Sequence, residues 1–112
     1  MSELTIDIAE HDAGVIVRLA GSADMTAAQD LRHQLERLPT EETNRIVLDL
    51  SALDFISSMG LGVLIQFHRQ CQEGTGGLRL ANPQESIVKV LETTQLDQLF
   101  DIYTSLDEAL SP

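Results

Sequence analysis

The sequence has a single cysteine and few basic residues, and each scarcity excludes a class of protein. With Cys71 alone the chain cannot form an internal disulfide, and we expect this residue to be half-buried in a predicted helix. Only 7 lysine and arginine residues stand against 18 acidic ones, which gives a net charge of -11. Such a chain repels the phosphates of nucleic acids and anionic membranes, so we expect neither as a direct partner.

The sequence also lacks a continuous apolar segment of about 18 residues, the length needed to span a membrane. Its first residues, Met1, Ser2 and Glu3, do not show the basic and apolar regions of a secretory signal peptide. We therefore expect a cytoplasmic protein with no membrane insertion. The acidic charge favours basic proteins as partners, although solubility alone would also explain it. With 112 residues, 43% of them hydrophobic, residues 1–112 are predicted to form one domain with a single core.

The hydrophobic pattern predicts strands that alternate with helices after an initial β-hairpin, whose turn contains Asp12, Ala13 and Gly14. Helices are predicted over residues 25–38 and 59–73, from Pro83 onward, and after a capping box of Ser105 and Glu108; strands are predicted over 45–50, 78–81 and 99–103. The resulting order, ββαβαβαβα, is typical of an α/β fold with a mostly parallel central sheet. The strand over 45–50 is predicted to be central because it is apolar on both faces.

Two adjacent serines, Ser57 and Ser58, precede the helix predicted over 59–73. Either could cap the helix by accepting a hydrogen bond from a backbone N–H group. A phosphate on a serine here would also be stabilised by the free N–H groups and by the positive end of the helix dipole. The loops at the carboxyl ends of parallel strands usually carry functional sites, and here they are predicted over residues 21–24 and 51–58. The position therefore suits both a helix cap and a phosphorylation site.

Gly60 and Gly62 lie in the first turns of the same predicted helix. Each costs about 1 kcal/mol of helix stability relative to alanine, so some local gain should offset them. They could pack tightly against the sheet, or they could let the backbone of a partner or a kinase active site approach closely. The sequence leaves both explanations open.

Catalytic, metal and cofactor motifs are not evident. His68 and Cys71 lie three residues apart on a predicted helix, but two ligands do not make a closed metal site. The glycine-rich segment 73–77 joins a helix to a strand, whereas phosphate-binding loops run from strand to helix. The sequence around Ser58 does not form the Gly-x-Ser-x-Gly turn of a hydrolase. We therefore expect a protein that is not an enzyme and that uses no cofactor or metal.

Several segments together resemble one protein family. Asp49-Leu50-Ser51 and the run Phe55-Ile56-Ser57-Ser58-Met59-Gly60-Leu61-Gly62-Val63-Leu64 resemble the signature of STAS domains, specifically of bacterial anti-sigma factor antagonists, also called anti-anti-sigma factors. Further similarity lies in Val17-x-Leu19-x-Gly21 with Asp24, in the segment from Gly77 to Pro83, and in Leu91-Glu92-x-x-x-Leu96-Asp97-x-Leu99-Phe100. The resemblance covers nearly the whole chain and implies a single STAS-like domain.

This resemblance implies a phosphoprotein that acts by partner switching in transcription regulation. In such a switch the unphosphorylated antagonist binds an anti-sigma factor with serine-kinase activity and so releases a sigma factor. Phosphorylation by that kinase breaks the complex, and a PP2C-type phosphatase restores the binding form. Alignment on Gly60 implies Ser58 as the phosphoacceptor, with Ser57 as the alternative. Ser57 stands where the commonest family motif has Asp, and Met59 replaces a second hydroxyl residue.

The topology and the resemblance together predict one docking surface. It comprises Gly21, Ser22, Ala23, Asp24, Ser57, Ser58, Met59, Gly60, Leu61 and Gly62, together with the exposed side of the helix that follows them. Gln84, on the third predicted helix, is expected to lie away from this surface. Related domains also serve as regulatory or structural subunits of stress-sensing assemblies and lipid-transport complexes, and as regulators of other signalling enzymes. The target and the oligomeric state are therefore left open.

Overall fold

The computed structural model describes residues 4–11, 14–38, 45–74 and 78–111. One sheet contains β1 (Thr5–His11), β2 (Gly14–Ala23), β3 (Arg45–Ile56), β4 (Leu78–Ala81) and β5 (Asp101–Tyr103). The helices are α1 (Ala28–Glu36), α2 (Ser58–Gly74), α3 (Glu85–Thr93) and α4 (Leu106–Leu110), with a 3₁₀ turn over Leu96–Gln98. The strand order is β1-β2-β3-β4-β5, with β1 antiparallel to β2 and the other neighbours parallel. The predicted α/β fold and the element order ββαβαβαβα are confirmed.

The sheet separates two hydrophobic clusters. Leu31 of α1, Leu64 of α2 and Ile87 of α3 are buried in the same cluster as Leu48 of β3. Helices on one face are the result expected when right-handed crossovers join neighbouring parallel strands. The other face carries a smaller cluster around Val47, which α4 covers. In the described ranges, no helix is both long and apolar enough to cross a membrane.

β3 is the central strand, as predicted, and residues 46–50 are buried on both faces. It extends to Ile56, however, whereas the sequence pattern predicted an end at Leu50. Residues 20–23 of β2 continue the pairing across two register shifts, and Gly21 lies at the second shift with a φ of +95° that favours glycine. The prediction that residues 21–23 and 51–56 form loops is therefore wrong, because these residues are strand ends.

α1 begins later than predicted, at Ala28 instead of Met25. The carboxylate oxygen Oδ1 of Asp24 accepts hydrogen bonds from the Ala27 backbone N–H at 2.9 Å and from the Thr26 hydroxyl at 2.7 Å. These bonds hold residues 25–27 in a turn ahead of the helix. α3 likewise begins at Glu85, two residues after Pro83.

The start of α4 is capped by half of the predicted capping box. The hydroxyl of Ser105 accepts a hydrogen bond from the Glu108 backbone N–H at 3.1 Å, as predicted. The Glu108 carboxylate, however, accepts from the Thr104 hydroxyl at 3.0 Å instead of from the Ser105 backbone.

Two arginines hold the other end of α4 against the sheet. Arg45 donates to the carbonyl oxygen of Leu110 at 2.8 Å, and Arg79 donates to those of Ala109 and Ser111 at 2.9 and 2.7 Å. The Arg79 guanidinium also lies 5.3 Å from the centre of the Tyr103 ring. Cations are favourable here because the carbonyl end of a helix carries the negative end of its dipole.

α2 presents one apolar side to the core. Leu64, Phe67 and Cys71 follow one another at helical spacing and are all buried. Cys71 is 0% exposed, so the expectation that it would be half-buried is wrong. Cys71 lies on the same side of α2 as Leu64 and Phe67, the side that packs against the core, and is therefore fully buried.

Candidate functional site

The carboxyl ends of β2 and β3 meet the start of α2. Ser22 pairs with Phe55, and Ala23 with Ile56, in the register of the two parallel strands. The Ser57 backbone N–H then donates to the Ala23 carbonyl at 2.8 Å. The structure therefore brings the two segments of the predicted docking surface, 21–24 and 57–62, together at one edge of the sheet.

Ser57 is the residue that caps α2. Its hydroxyl oxygen accepts a hydrogen bond from the Gly60 backbone N–H at 3.1 Å, and its carbonyl accepts from the Leu61 N–H at 2.9 Å. The residue is 8% exposed. The Ser57 hydroxyl thus satisfies one of the free N–H groups at the start of the helix.

Ser58 is the first residue of α2, and its environment differs from that of its neighbour. It is exposed, and its hydroxyl makes no hydrogen bond to any residue that the structure describes. The helix does not need this hydroxyl as a cap because Ser57 already supplies one. Of the two serines, Ser58 therefore presents the accessible oxygen.

Gly60 and Gly62 have different surroundings. A Cβ atom added at Gly60 would lie 2.9 Å from Ile56 Cγ1 and 3.3 Å from the Ala23 carbonyl oxygen. The glycine at position 60 is therefore explained by tight packing against the sheet. A Cβ atom added at Gly62 would meet nothing within 4 Å, so packing does not explain that glycine.

The predicted docking residues divide by exposure. Ala23, Ser57, Gly60 and Leu61 are buried, so they support the surface from beneath. The residues with accessible surface are Gly21, Ser22, Asp24, Ser58, Met59 and Gly62.

Exposed apolar side chains at this edge include the predicted Met59 and add Met25 and Phe55, which the sequence analysis missed. Met25 is 62% exposed, Phe55 51% and Met59 44%. Met25 follows Asp24, and Phe55 pairs with Ser22, so the three apolar side chains border the same strand ends. The last residues of β3 resembled a loop in the sequence, so no pattern indicated which way Phe55 would face. Exposed apolar surface of this kind is typical of sites that bind other proteins.

Comparison with known proteins identifies the family. The STAS domain family matches residues 5–109 of the chain. The chain belongs to the STAS domain family.

Several of its relatives are named as anti-sigma factor antagonists. The STAS chain is 28% identical to the anti-sigma F factor antagonist of Paenibacillus polymyxa over 109 residues, which cover 96% of this chain and 93% of the relative. It is 26% identical to the anti-sigma-B factor antagonist of Bacillus subtilis over 99 residues, 88% of this chain and 90% of the relative. The crystal structure of an anti-sigma factor antagonist from Mycobacterium paratuberculosis superposes with a TM-score of 0.86 at 28% identity, covering 96% and 92% of the two chains. These relatives are regulatory proteins rather than enzymes, and the predicted resemblance is confirmed.

Acidic side chains flank the serines of this STAS domain. The Asp24 pKa is lowered from its ordinary value by the hydrogen bond from the Thr26 hydroxyl and then by that from the Ala27 N–H. Asp54, near the end of β3, accepts a hydrogen bond from Gln84 Nε2 at 3.3 Å. The edge is therefore locally acidic as well as apolar.

Gln84 does not lie away from this edge, in contrast to the sequence-based expectation. Its side-chain amide also donates to the Ser51 carbonyl at 3.0 Å, so it ties the start of α3 to β3. α3 directly follows the carboxyl end of β4, which is parallel to β3, so the helix begins at the same edge of the sheet as the serines. A substitution of Gln84 would disturb the strand beneath the site.

His68 has a structural environment in the core of the STAS domain. Its Nδ1 atom accepts a hydrogen bond from the Leu78 backbone N–H at 3.0 Å, and its ring packs edge-on against Phe100 at 5.1 Å between ring centres. Burial lowers the His68 pKa, and the charge of Asp101 opposes part of that effect. Among the residues with described positions, no group of three His, Cys, Asp or Glu side chains could hold a metal ion.

Proposed function

We propose that this STAS domain is a cytoplasmic anti-sigma factor antagonist controlled by phosphorylation of Ser58. With Ser58 unmodified, the protein binds an anti-sigma factor that has serine-kinase activity and so frees a sigma factor. The kinase ends the interaction by phosphorylating Ser58, and a PP2C-type phosphatase restores the binding form. The observation that carries this proposal is the difference between the exposed, unbonded hydroxyl of Ser58 and the buried, capping hydroxyl of Ser57.

The accessibility of the two hydroxyls favours Ser58 as the phosphoacceptor. A kinase needs a hydroxyl oxygen that can reach the γ-phosphate of ATP in line with its leaving group. The Ser57 oxygen is buried and already accepts the Gly60 N–H, so its modification would first require the start of α2 to open. Ser58 can be modified without that step.

A phosphate on Ser58 would change docking more than folding. It would add about -1.5 to -2 charge at pH 7, at a helix start whose N–H groups and dipole favour an anion. The same charge would lie near Asp24 and Asp54, on the surface where we propose that the partner binds. Repulsion and bulk would then break the complex while the fold persists.

The exposed residues at this edge form the docking surface in this proposal. Gly21, Ser22, Asp24, Ser58, Met59 and Gly62 surround the phosphoacceptor, and the apolar side chains of Met25 and Phe55 border them. The buried residues Ala23, Ser57, Gly60 and Leu61 set the positions of these contacts.

The test is phosphorylation by the kinase that copurifies with the protein from its host. Wild type, Ser57→Ala and Ser58→Ala are each incubated with that kinase and ATP, and their intact masses are measured. We expect wild type and Ser57→Ala to gain one phosphoryl group, which a PP2C-type phosphatase removes, and Ser58→Ala to gain none. Modification of Ser58→Ala but not of Ser57→Ala would assign the switch to Ser57.

Partner binding supplies the second part of the test. Ser58→Glu should bind the anti-sigma factor more weakly than wild type and retain its thermal stability, because anions are tolerated at a helix start. Phosphorylation under no growth condition, together with a stable complex with proteins other than an anti-sigma factor, would refute the proposal. Such a result would instead indicate a STAS subunit of a stress-sensing, lipid-transport or signalling assembly.

A further inference from the structure

A groove runs between α1 and α2 and begins beside the phosphoacceptor turn. It has a volume of about 220 Å³ and is lined by Ala28, Gln29, Arg32, Met59, Gly62, Val63 and Gln66. A much smaller depression of about 20 Å³ continues it along the two helices past Phe67. Met59, which forms one wall, directly follows Ser58 in the chain. We call the seven-residue cavity the α1–α2 groove.

The groove has open space at Gly62. A Cβ atom at this position would have no neighbour within 4 Å, so the chain itself could accommodate a side chain there. A glycine in a helix costs about 1 kcal/mol relative to alanine, and nothing in the described structure compensates for it at position 62. By contrast, Gly60 is needed for packing against Ile56. The vacant side of Gly62 therefore points to a group from outside the chain.

The lining combines an apolar floor with one unpaired cation. Ala28 and Val63 are buried beneath the groove, and Met59 adds a flexible apolar wall. Arg32 is exposed and makes neither an ion pair nor a hydrogen bond with the residues that the structure describes. Glu36 lines the adjoining depression but not the groove, so Arg32 is the one charged residue among the seven that line the groove, in a protein of net charge -11. The groove is therefore complementary to an apolar group with a carboxylate beside it.

The size of the groove favours a side chain of another protein over a cofactor. Pockets for small molecules typically measure about 300 to 1,000 Å³, which is larger than the 220 Å³ found here. One large apolar side chain, inserted between two helices, is the kind of anchor that dominates many protein interfaces. The polar rim formed by Gln29 and Gln66 can hydrogen-bond to the backbone or side chains around such an anchor.

We propose that the α1–α2 groove binds one large apolar side chain of the anti-sigma factor, with an adjacent acidic residue of that partner paired to Arg32. This inference rests on the proposed function, because the same partner is involved. It also adds a route by which phosphorylation acts. A phosphate on Ser58 would stand next to Met59 at the mouth of the groove and would repel the partner's acidic residue, which Arg32 otherwise attracts.

The experiment measures the affinity of the copurified anti-sigma factor for wild type, Gly62→Leu, Gly62→Ala and Arg32→Gln. Gly62→Leu fills the groove and should weaken binding at least about 30-fold, as the loss of a main anchor does. Gly62→Ala should have a smaller effect. Arg32→Gln should weaken binding roughly 5-fold and reduce its dependence on salt. Arg37→Gln is the matched control, an exposed arginine just after α1 and outside the groove, and should bind as wild type does.

Circular dichroism checks that each variant is folded, and phosphorylation of wild type on Ser58 is measured in the same preparations. If wild type binds and is phosphorylated while folded Gly62→Leu and Arg32→Gln bind equally well, the groove proposal is overturned and the proposed function stands. If wild type binds no anti-sigma factor, the proposed function itself fails.

A photo-crosslinker at Gln66 identifies the occupant. We expect it to capture an anti-sigma factor segment with a large apolar residue and an acidic residue within one helical turn of each other. Capture of a basic segment, or a small molecule found in the groove by native mass spectrometry, would contradict the proposal.

Discussion

The Ser57 hydroxyl oxygen lies 3.1 Å from the Gly60 backbone nitrogen and accepts a hydrogen bond from its N–H group. This bond closes the first turn of α2 and keeps the Ser57 side chain buried. It leaves the next serine, Ser58, outside the hydrogen bonds of the helix start. Structural support and chemical availability are thereby divided between two adjacent residues of the same type.

Stability should separate the two serines. Ser57→Ala removes the cap and should lower the free energy of unfolding by about 0.5 to 2 kcal/mol. Ser58→Ala removes no hydrogen bond and should change it by less than about 0.5 kcal/mol. Urea denaturation followed by circular dichroism gives both values. Equal losses in the two variants would show that Ser58 shares the capping role.

The two glycines should respond in opposite directions to alanine. Gly62→Ala should raise the free energy of unfolding by up to about 1 kcal/mol, because the helix gains propensity and the added methyl group meets nothing. At Gly60 the same gain is opposed by overpacking against Ile56, which typically costs about 1 to 3 kcal/mol, so we expect a net loss. Thermal and urea denaturation of the pair measure the difference. A stabilised Gly60→Ala would mean that Ile56 can move aside without cost.

His68 should make the stability of the protein depend on pH. Burial holds its folded-state pKa below the ordinary value of 6.5, so the unfolded chain binds the proton more readily. The stability contributed by neutral His68 is therefore complete above about pH 6.5 and is lost as the pH falls through the lower folded pKa. Protonation of Nδ1 would also break the hydrogen bond from Leu78. Urea denaturation at several pH values from about 7.5 down to about 5, a range that brackets the ordinary pKa of histidine, measures the slope.

Two variants isolate this effect. His68→Leu leaves the Leu78 N–H buried without its acceptor and should cost about 1 to 3 kcal/mol at neutral pH, while its stability should vary less with pH than that of wild type. His33→Gln, at an exposed position of α1, should keep the wild-type slope. Parallel pH curves for His68→Leu and wild type would rule out His68 as the source.

Arg79 should be needed to keep α4 on the sheet. Arg79→Met keeps an apolar stem and removes the donors to the Ala109 and Ser111 carbonyls, which should cost about 1.5 to 3 kcal/mol. Amide hydrogen exchange should accelerate in α4 more than in the other helices. Arg69→Met, at an exposed position of α2, is the control and should leave exchange in α4 unchanged. Unchanged exchange in Arg79→Met would show that packing on Val47 holds the helix without the arginine.

Local patterns predicted most of the fold because each helix and strand carries its own hydrophobic period. The end of β3 was not predictable in this way, since its last six residues are held in the sheet by pairing with β2 across two register shifts. Their polar and small residues, such as Ser51 and Asp54, are typical of loops. Cys71 was predictable in principle, because it continues the buried positions of Leu64 and Phe67 at helical spacing.

The sequence predicted which segments form the candidate site, but not the role of each residue within it. Ser57 and Ser58 are the same residue type at neighbouring positions, and only the direction of each hydroxyl decides which one caps the helix. Gly60 and Gly62 have the same local cost, and only their tertiary neighbours distinguish packing from open space. Arg32 lines the same groove as Met59 and Gly62 because α1 packs on α2, a contact between distant segments that no motif records.

The strand order of the sheet is also the order of the strands in the chain. Each strand joins a neighbour that has already been synthesised, so closing each pair requires ordering only one hairpin or crossover at a time. A chain leaving the ribosome could therefore assemble this sheet progressively from its amino terminus. Val47, however, stays uncovered on its face until α4, close to the carboxyl terminus, has been made. The interval before α4 docks is then a period in which this face of the growing chain exposes apolar sheet surface that can aggregate.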